Sequence, residues 1–558
     1  MATHRVNLDA LIKRQDFETG VVSTIMGENP VFKLDELESR KTFFGLLRKP
    51  DFQRTTNNWS PEMIKEFVRT FLDKELIPAL IIWHSQQTEK IYLIDGAHRL
   101  SALTAWVNDD YGFGSISKQF FGDGIPALQQ KLHHETRDLI AREIGSYADL
   151  TVKAANNPDD EKDPAVRRGR VITTSTPPLQ RVPGDAATAE SAFLRINGSP
   201  AIIDPTEFDI IKARRKPNTI ATRALMQAGK GYQYWSRFTA NATKISELSA
   251  EVYGFLFGQI VEIGTQSPDV PRAGQPYSAE AFKMILDMVN IFNNVTPVMW
   301  QESKRRKGSK AATSPTLPDD PDGSATVTYL DRIKDVGRLA FDPSFSGSLG
   351  LDPAVYCYGP DKFYTSAYLA ALKFAVELKE RDKFFEFTKA RKRFEDFLVN
   401  YKSFIKDISH GKGSRTRPLE SLLVLHRTIL DCILDGEETD WDIVNRLSDH
   451  PSLKNTLKFP VSDPEPFDEP PQEKKTKRKS FPKSVQQAAV LLATLNNRER
   501  CTECGARLAP FSRSKDHVTP QEEGGTGVLE NLQFTHPYCN TGYKEKKRHL
   551  AKKEAAAQ

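Results

Sequence analysis

No run of about 18 apolar residues occurs anywhere in this chain, which excludes a membrane span of the ordinary hydrophobic kind. The opening stretch, MATHRVNLDALIKRQDF, has no apolar core ahead of a small-residue cleavage site, so no secretory leader is expected. Only five cysteines are present in 558 residues, too few for a disulfide framework, and three of them crowd into residues 501–539. That distribution suits a reducing cytoplasm and a metal site. The excess of positive over negative charge is small too, a formal net charge of +5. It is unevenly spread. Residues 473–558 hold 17 basic and nine acidic side chains, a net +8 that leaves −3 for the rest. A locally cationic tail suits a polyanionic partner.

What remains is the composition of a soluble protein, 39% hydrophobic and 27% charged, long enough for about three to five domains, and its segments read as an α+β multidomain chain. Three stretches rich in Pro, Gly, Ser and charge lack apolar periodicity and read as linkers or insertions: 156–188, 303–326 and 461–483. The last would place residues 484–558 as a module on a flexible, basic tether. Residues 1–240 read as α/β. Ser60 is a candidate N-cap with Pro61 at the first helical position, and Ile64, Phe67, Val68, Phe71 and Leu72 follow at helical spacing. ALIIWHS (79–85) and IYLID (91–95) predict two strands, and HRLSALTAW predicts a helix behind them. Residues 241–460 are mostly helical, with Cys357 and Cys432 as buried thiols in apolar segments.

The densest chemistry lies near the carboxyl end. Cys501 and Cys504 form a C-x2-C pair, and His536 and Cys539 form an H-x2-C pair after 31 intervening residues. Two knuckles of soft and borderline ligands suit tetrahedral Zn²⁺. Between and just after them stand Asp516-His517, Asn531 and Asn540. This stretch resembles the HNH endonuclease family, a ββα-metal module with a D-H pair, a central Asn, and a final His or Asn after a Cys. His536 stands where relatives often have a second Cys. The resemblance implies phosphodiester hydrolysis. His517 would take the proton of the attacking water, Asn531 would position the His517 ring, and Asp516 with Asn540 would hold a catalytic Mg²⁺ or Mn²⁺ through hard oxygen donors. Lys544 and Lys547 would contact phosphates. A zinc ribbon without chemistry is the bland alternative.

A second constellation is LIDGAHRLSALTAW (93–106), in which Asp95-Gly96 closes a strand before a helix that begins with His98 and Arg99. Such a junction offers backbone N–H groups and a positive dipole end to an anion, and Arg99 adds a planar fork matched to phosphate. With Gln53, Arg54 and Trp59 upstream, and Phe193, Asn197 and Glu207 downstream, this resembles the ParB/sulfiredoxin-like domain of GmrSD-type restriction proteins and SspE-like phage-defence nucleases. Ala97 departs from the family's usual Gln. The resemblance spans about residues 30–240 and implies nucleotide binding, often NTP hydrolysis, through Gln53, Arg54, Asp95, Gly96, His98 and Arg99. An internal salt-bridge network joining strand to helix is the alternative for the same residues.

The combined expectation is a cytoplasmic DNA endonuclease of the restriction or anti-phage type, acting on foreign and perhaps modified DNA. Zn²⁺ would be structural and Mg²⁺ or Mn²⁺ catalytic, with an NTP at the N-terminal domain. One HNH site cuts one strand, so a double-strand break would take a homo-oligomer or two encounters. Two other readings stand beside it: a ParB-like, nucleotide-switched DNA-binding protein whose zinc module does not cut, and an RNA-targeting HNH toxin.

Overall fold

The computed structural model describes residues 5–15, 32–50, 53, 56–57, 59–85, 88–122, 125, 127–198, 209–210, 212–230, 234–257, 279–301, 316–360, 362–410, 416–436, 439–459, 481 and 483–557. They form two compact units, one of residues 1–246 with 296–324, the other of 247–295 with 325–558.

The first unit is built on a five-stranded mixed sheet of order β1-β2-β4-β3-β5: β1 (Lys13–Gln15), β2 (Leu47–Pro50), β3 (Leu80–His84), β4 (Ile91–Asp95) and β5 (Leu179–Arg181). Only the β3–β4 pair is antiparallel, and both strands stand where the sequence predicts them. Because side chains alternate across a pleat, IYLID feeds both faces. Ile91 and Leu93 enter the larger core with Ile64, Val68, Phe71, Leu100, Leu103 and Trp106. Tyr92 and Ile94 face Trp83, Ala189 and Phe193 on the other side. The two helices that cover the larger face are α1 (Pro61–Leu72) and α2 (Ala97–Asn108). Ser60 caps α1 as expected, its hydroxyl accepting from the Met63 N–H at 3.3 Å.

The stretch 156–188, expected as a linker, is folded. Asp163 caps a helix from Pro164 to Thr174 whose Val166, Val171 and Ile172 are buried, and β5 completes the sheet edge. Asp163 and Pro164 are the cap and first residue of that helix, and Val166, Val171 and Ile172 are its inward-facing apolar residues. Of the 303–326 stretch, residues 303–315 lie outside the described residues and Ser324 begins a helix, and of the expected 461–483 tether residues 461–480 and 482 lie outside them as well.

The second unit is helical and continuous with the carboxy-terminal module. Its core helices include α3 (Thr365–Glu380), α4 (Phe384–Asn400) and α5 (Thr416–Leu434), whose Phe374, Phe387 and Phe394 stack or meet edge to face. Cys357 and Cys432 are buried thiols here. Helix α6 (Lys483–Asn496) leads into a hairpin of β6 (Ser514–His517) and β7 (Leu532–Thr535), followed by a π-turn (Cys539–Tyr543) and α7 (Lys544–Ala557). This module packs against the helices. Tyr538 meets Phe384 at 5.2 Å and Tyr543 meets Phe385 at 5.1 Å between ring centroids. The Tyr538 N–H donates to Ser348 O, and Thr541 Oγ1 to Ser346 O. Among the described residues no helix is long and apolar enough to cross a membrane.

Candidate metal centre and active site

Cys501, Cys504, His536 and Cys539 converge, their ligand atoms all within 4.8 Å of one another. The first knuckle closes because Gly505, at φ +70°, lets the chain reverse: its N–H donates to Cys501 O while the Cys501 N–H donates to Ala506 O. The second begins where β7 ends and the π-turn starts. His536 Nδ1 lies 3.5 Å from Cys504 Sγ and 3.8 Å from Cys539 Sγ. A tetrahedral zinc ion with ordinary bond lengths would separate N and S ligands by about 3.5 Å, so the cage fits the ion. Packed this closely the thiols conflict. Hydrogen bonding from Cys504 and Cys539 pulls Cys501 down, while the hydrogen bond with Cys501 pushes Cys504 up. A dication resolves the conflict by holding all three as thiolates.

The imidazole is oriented by the module's own Arg507, which is anchored in turn from outside the module. His536 Nε2 is 3.0 Å from Arg507 O, and since a carbonyl only accepts, Nε2 carries the proton and Nδ1 is left for metal. The Arg507 N–H in turn donates to Glu395 Oε2 at 2.9 Å, and Glu395 Oε1 accepts from Arg391 Nε at 2.7 Å and from Tyr356 OH at 3.2 Å. Every member of this relay is buried. Arg498 adds an almost fully buried ion pair with Asp352 at 3.2 Å, and Arg507 Nη1 reaches Asp396 at 2.7 Å. Glu395 is not legible in the carboxyl-terminal motif because it sits more than a hundred residues upstream. The signal available was Arg391 and Glu395, four apart on an otherwise apolar helix face. Glu395→Gln, which turns one acceptor into a misplaced donor, is expected to weaken zinc binding by about ten- to a hundredfold. Competition against a chromophoric chelator checks this.

The four HNH-type residues are gathered around β6, in partly different roles from those expected. His517 is half-buried at the strand end, and its imidazole makes no hydrogen bond or ion pair among the described residues, as a general base open to water requires. Asn540 lies across the strand, its Nδ2 donating to Ser514 Oγ at 3.0 Å and Lys515 O at 3.1 Å. Its Oδ1 makes no hydrogen bond among the described residues. Asn531 does not reach the His517 ring. Its Oδ1 accepts from the Thr519 N–H at 2.7 Å and its Nδ2 donates to Thr519 O and Thr526 O, so it staples the loop between the strands. A short amide beside a glycine-rich loop finds backbone partners before it finds a neighbouring ring.

Asp516 differs most. It is 7% exposed, and both its oxygens are occupied. Lys544 Nζ lies 3.0 Å from Oδ1 and 2.8 Å from Oδ2, Gln533 Nε2 donates to Oδ2 at 2.7 Å, and the His517 N–H donates to Oδ1 at 2.8 Å. A carboxylate has about four acceptor sites, and all are used. Lys544 is likewise spent, its third donor going to His517 O at 2.6 Å. It is therefore not presented to phosphate, whereas Lys547 on α7 keeps a mostly exposed side chain. As arranged, the Asp516–Asn540 pair does not fit a divalent cation.

In the first unit, Gly96 takes φ +94° to turn from β4 into α2, and a Cβ there would meet Leu80 Cδ2 at 2.5 Å. His98 stacks on Trp59 at 5.9 Å. Gln53 is buried, and its Oε1 has no hydrogen-bond partner among the described residues. Arg99 is turned inward: Nη2 pairs with Asp95 Oδ2 at 2.6 Å and Nη1 donates to Pro78 O and Ala79 O. That is the internal strand–helix network, not an open phosphate fork. Arg54 and Glu207 lie outside the described residues, as does the side chain of Asn197. Beside Gln53 sits a cluster that the motif pattern does not contain. Asp9 holds Arg14 and Lys49 at 2.7 Å each, and burial draws the Lys49 amine down to about 8 despite that pairing.

Two known families match the regions in which these residues lie. Residues 34–197 match the GmrSD restriction endonuclease N-terminal domain, and residues 501–546 match the HNH endonuclease. No curated protein and no solved structure matches the chain. The chain joins a GmrSD-type N-terminal domain to a C-terminal HNH endonuclease domain with a Cys3His metal cage, the make-up of a restriction-type nuclease.

Proposed function

We propose that the chain is a metal-dependent DNA endonuclease of the restriction or anti-phage type, whose N-terminal domain, ParB-like in fold, binds a nucleotide and governs cutting. The observation that carries the reading is the continuity of the second zinc knuckle with the helix bearing Asn540. One cage thereby fixes that helix against the strand ending in His517. Zinc, when bound, supplies rigidity. His517 takes a proton from water as the water oxygen bonds to phosphorus and the ester bond to the leaving sugar oxygen breaks. Lys547 and the rest of α7 supply cationic contact to the phosphates on either side. Mg²⁺ or Mn²⁺ belongs to the reading as the catalytic cofactor, subject to the occupancy of Asp516. In the N-terminal domain, Gln53 Oε1, Gly96 and the start of α2 are the groups offered to a nucleotide, with His98 and Trp59 as a stacked wall.

The saturated Asp516 favours one rival: a nucleotide-switched DNA-binding protein whose zinc module only grips. Incubating the purified chain with modified and unmodified phage DNA, and with RNA, in Mn²⁺ and with or without each NTP, separates the two. Cutting confined to DNA, at a rate that an NTP changes, is the expected result. DNA retention without cleavage at every metal concentration rejects the nuclease.

A further inference from the structure

The unit formed by Asp516 and Lys544 is closed on itself. Three ammonium donors meet three acceptors, and the carboxylate's remaining sites go to Gln533 and the His517 N–H. Lys544 is 8% exposed although it begins a helix whose other basic residues mostly face solvent. Asn540 and Lys544, four apart and therefore on one face of the helical path, both reach β6.

A divalent ion at Asp516 would sit against that ammonium, within a few ångströms of a like charge and out of bulk water, where repulsion is least screened. The two cations exclude each other. We propose that Lys544 is the resident cation of the nuclease carboxylate, and that a divalent ion reaches Asp516 only by displacing it. The module thus rests with its metal position closed. Displaced, Lys544 emerges at the start of α7 beside the exposed Lys546 and Lys547, and a DNA phosphate is the acceptor that would keep it there. The proposal rests on the nuclease reading above, since Asp516 matters to a metal only if the module cuts.

The test uses the full-length, zinc-loaded chain without DNA. Mn²⁺ binding is followed by the loss of the free-ion paramagnetic resonance signal in wild type, Lys544→Met and Lys544→Arg. Lys544→Met is expected to bind Mn²⁺ at least tenfold more tightly than wild type, while Lys544→Arg, which keeps the charge, binds as weakly as wild type. Equal affinity in Lys544→Met with its zinc content intact overturns the proposal. Should that variant lose zinc, the wild type still decides. Acetylation of Lys544 by an amine-reactive ester, mapped by mass spectrometry, should rise when Mn²⁺ is added, and unchanged labelling refutes displacement. DNA cutting by the same wild-type preparation is scored separately. Absence of cutting together with metal-induced labelling would reject the nuclease and leave the displacement standing.

Discussion

His517→Ala is expected to slow DNA cutting by about 10²- to 10⁴-fold, the usual contribution of a positioned general base. The loss should appear without loss of fold, because the imidazole makes no hydrogen bond or ion pair among the described residues. What His517 gives the structure is backbone: its N–H to Asp516 and its carbonyl to Lys544. Both survive truncation of the side chain. Zinc content and melting temperature of the variant should therefore match wild type, and a cleavage assay on plasmid DNA gives the rate. A variant that cuts at the wild-type rate sinks the assignment of the base, whatever else the module does.

The second large effect is expected from Cys539→Ser, or from stripping zinc with a strong chelator. Binding of a structural zinc ion contributes about 10–16 kcal/mol to the folding of a small module at neutral pH. Here that energy holds the hairpin, the π-turn and α7 in one piece. Cys539 is buried and opens the turn that carries Asn540 and Lys544, so its loss unfastens both from β6 at once. Cutting should fall to background, and limited proteolysis should open new sites between residues 500 and 557 while helices α3–α5 remain protected. Full activity in metal-free protein would show that the cage is dispensable.

Much of this was legible in the sequence. The two strands around residues 79–95 and the helix after Ser60 were visible because their apolar periods and cap residues are local signals. The metal cage was visible because a zinc ion needs paired ligands at knuckle spacing, which leaves little freedom. Residues 156–188 misled because composition counts prolines and charges without saying that Asp163 and Pro164 begin a helix. The partners of Asp516 and Asn531 were illegible for a different reason. Whether an acid meets a metal or an ammonium depends on which residues of a separate helix face its strand, and Lys544 lies 28 residues from Asp516. Glu395 was hidden by distance along the chain, since hydrogen bonding between separate elements leaves no periodic trace.

The relay from Arg391 through Glu395 and Arg507 to His536 also bears on how such a module can be reused. A nuclease domain that kept its whole polar interior to itself could be cut out and grafted onto another carrier. This one borrows an acid and an arginine from its host, so excision would strand Arg498 and Arg507 without counterions and leave the Arg507 N–H without its carboxylate acceptor. The blade and its handle are a single inherited part, and changes in the handle are felt at the edge.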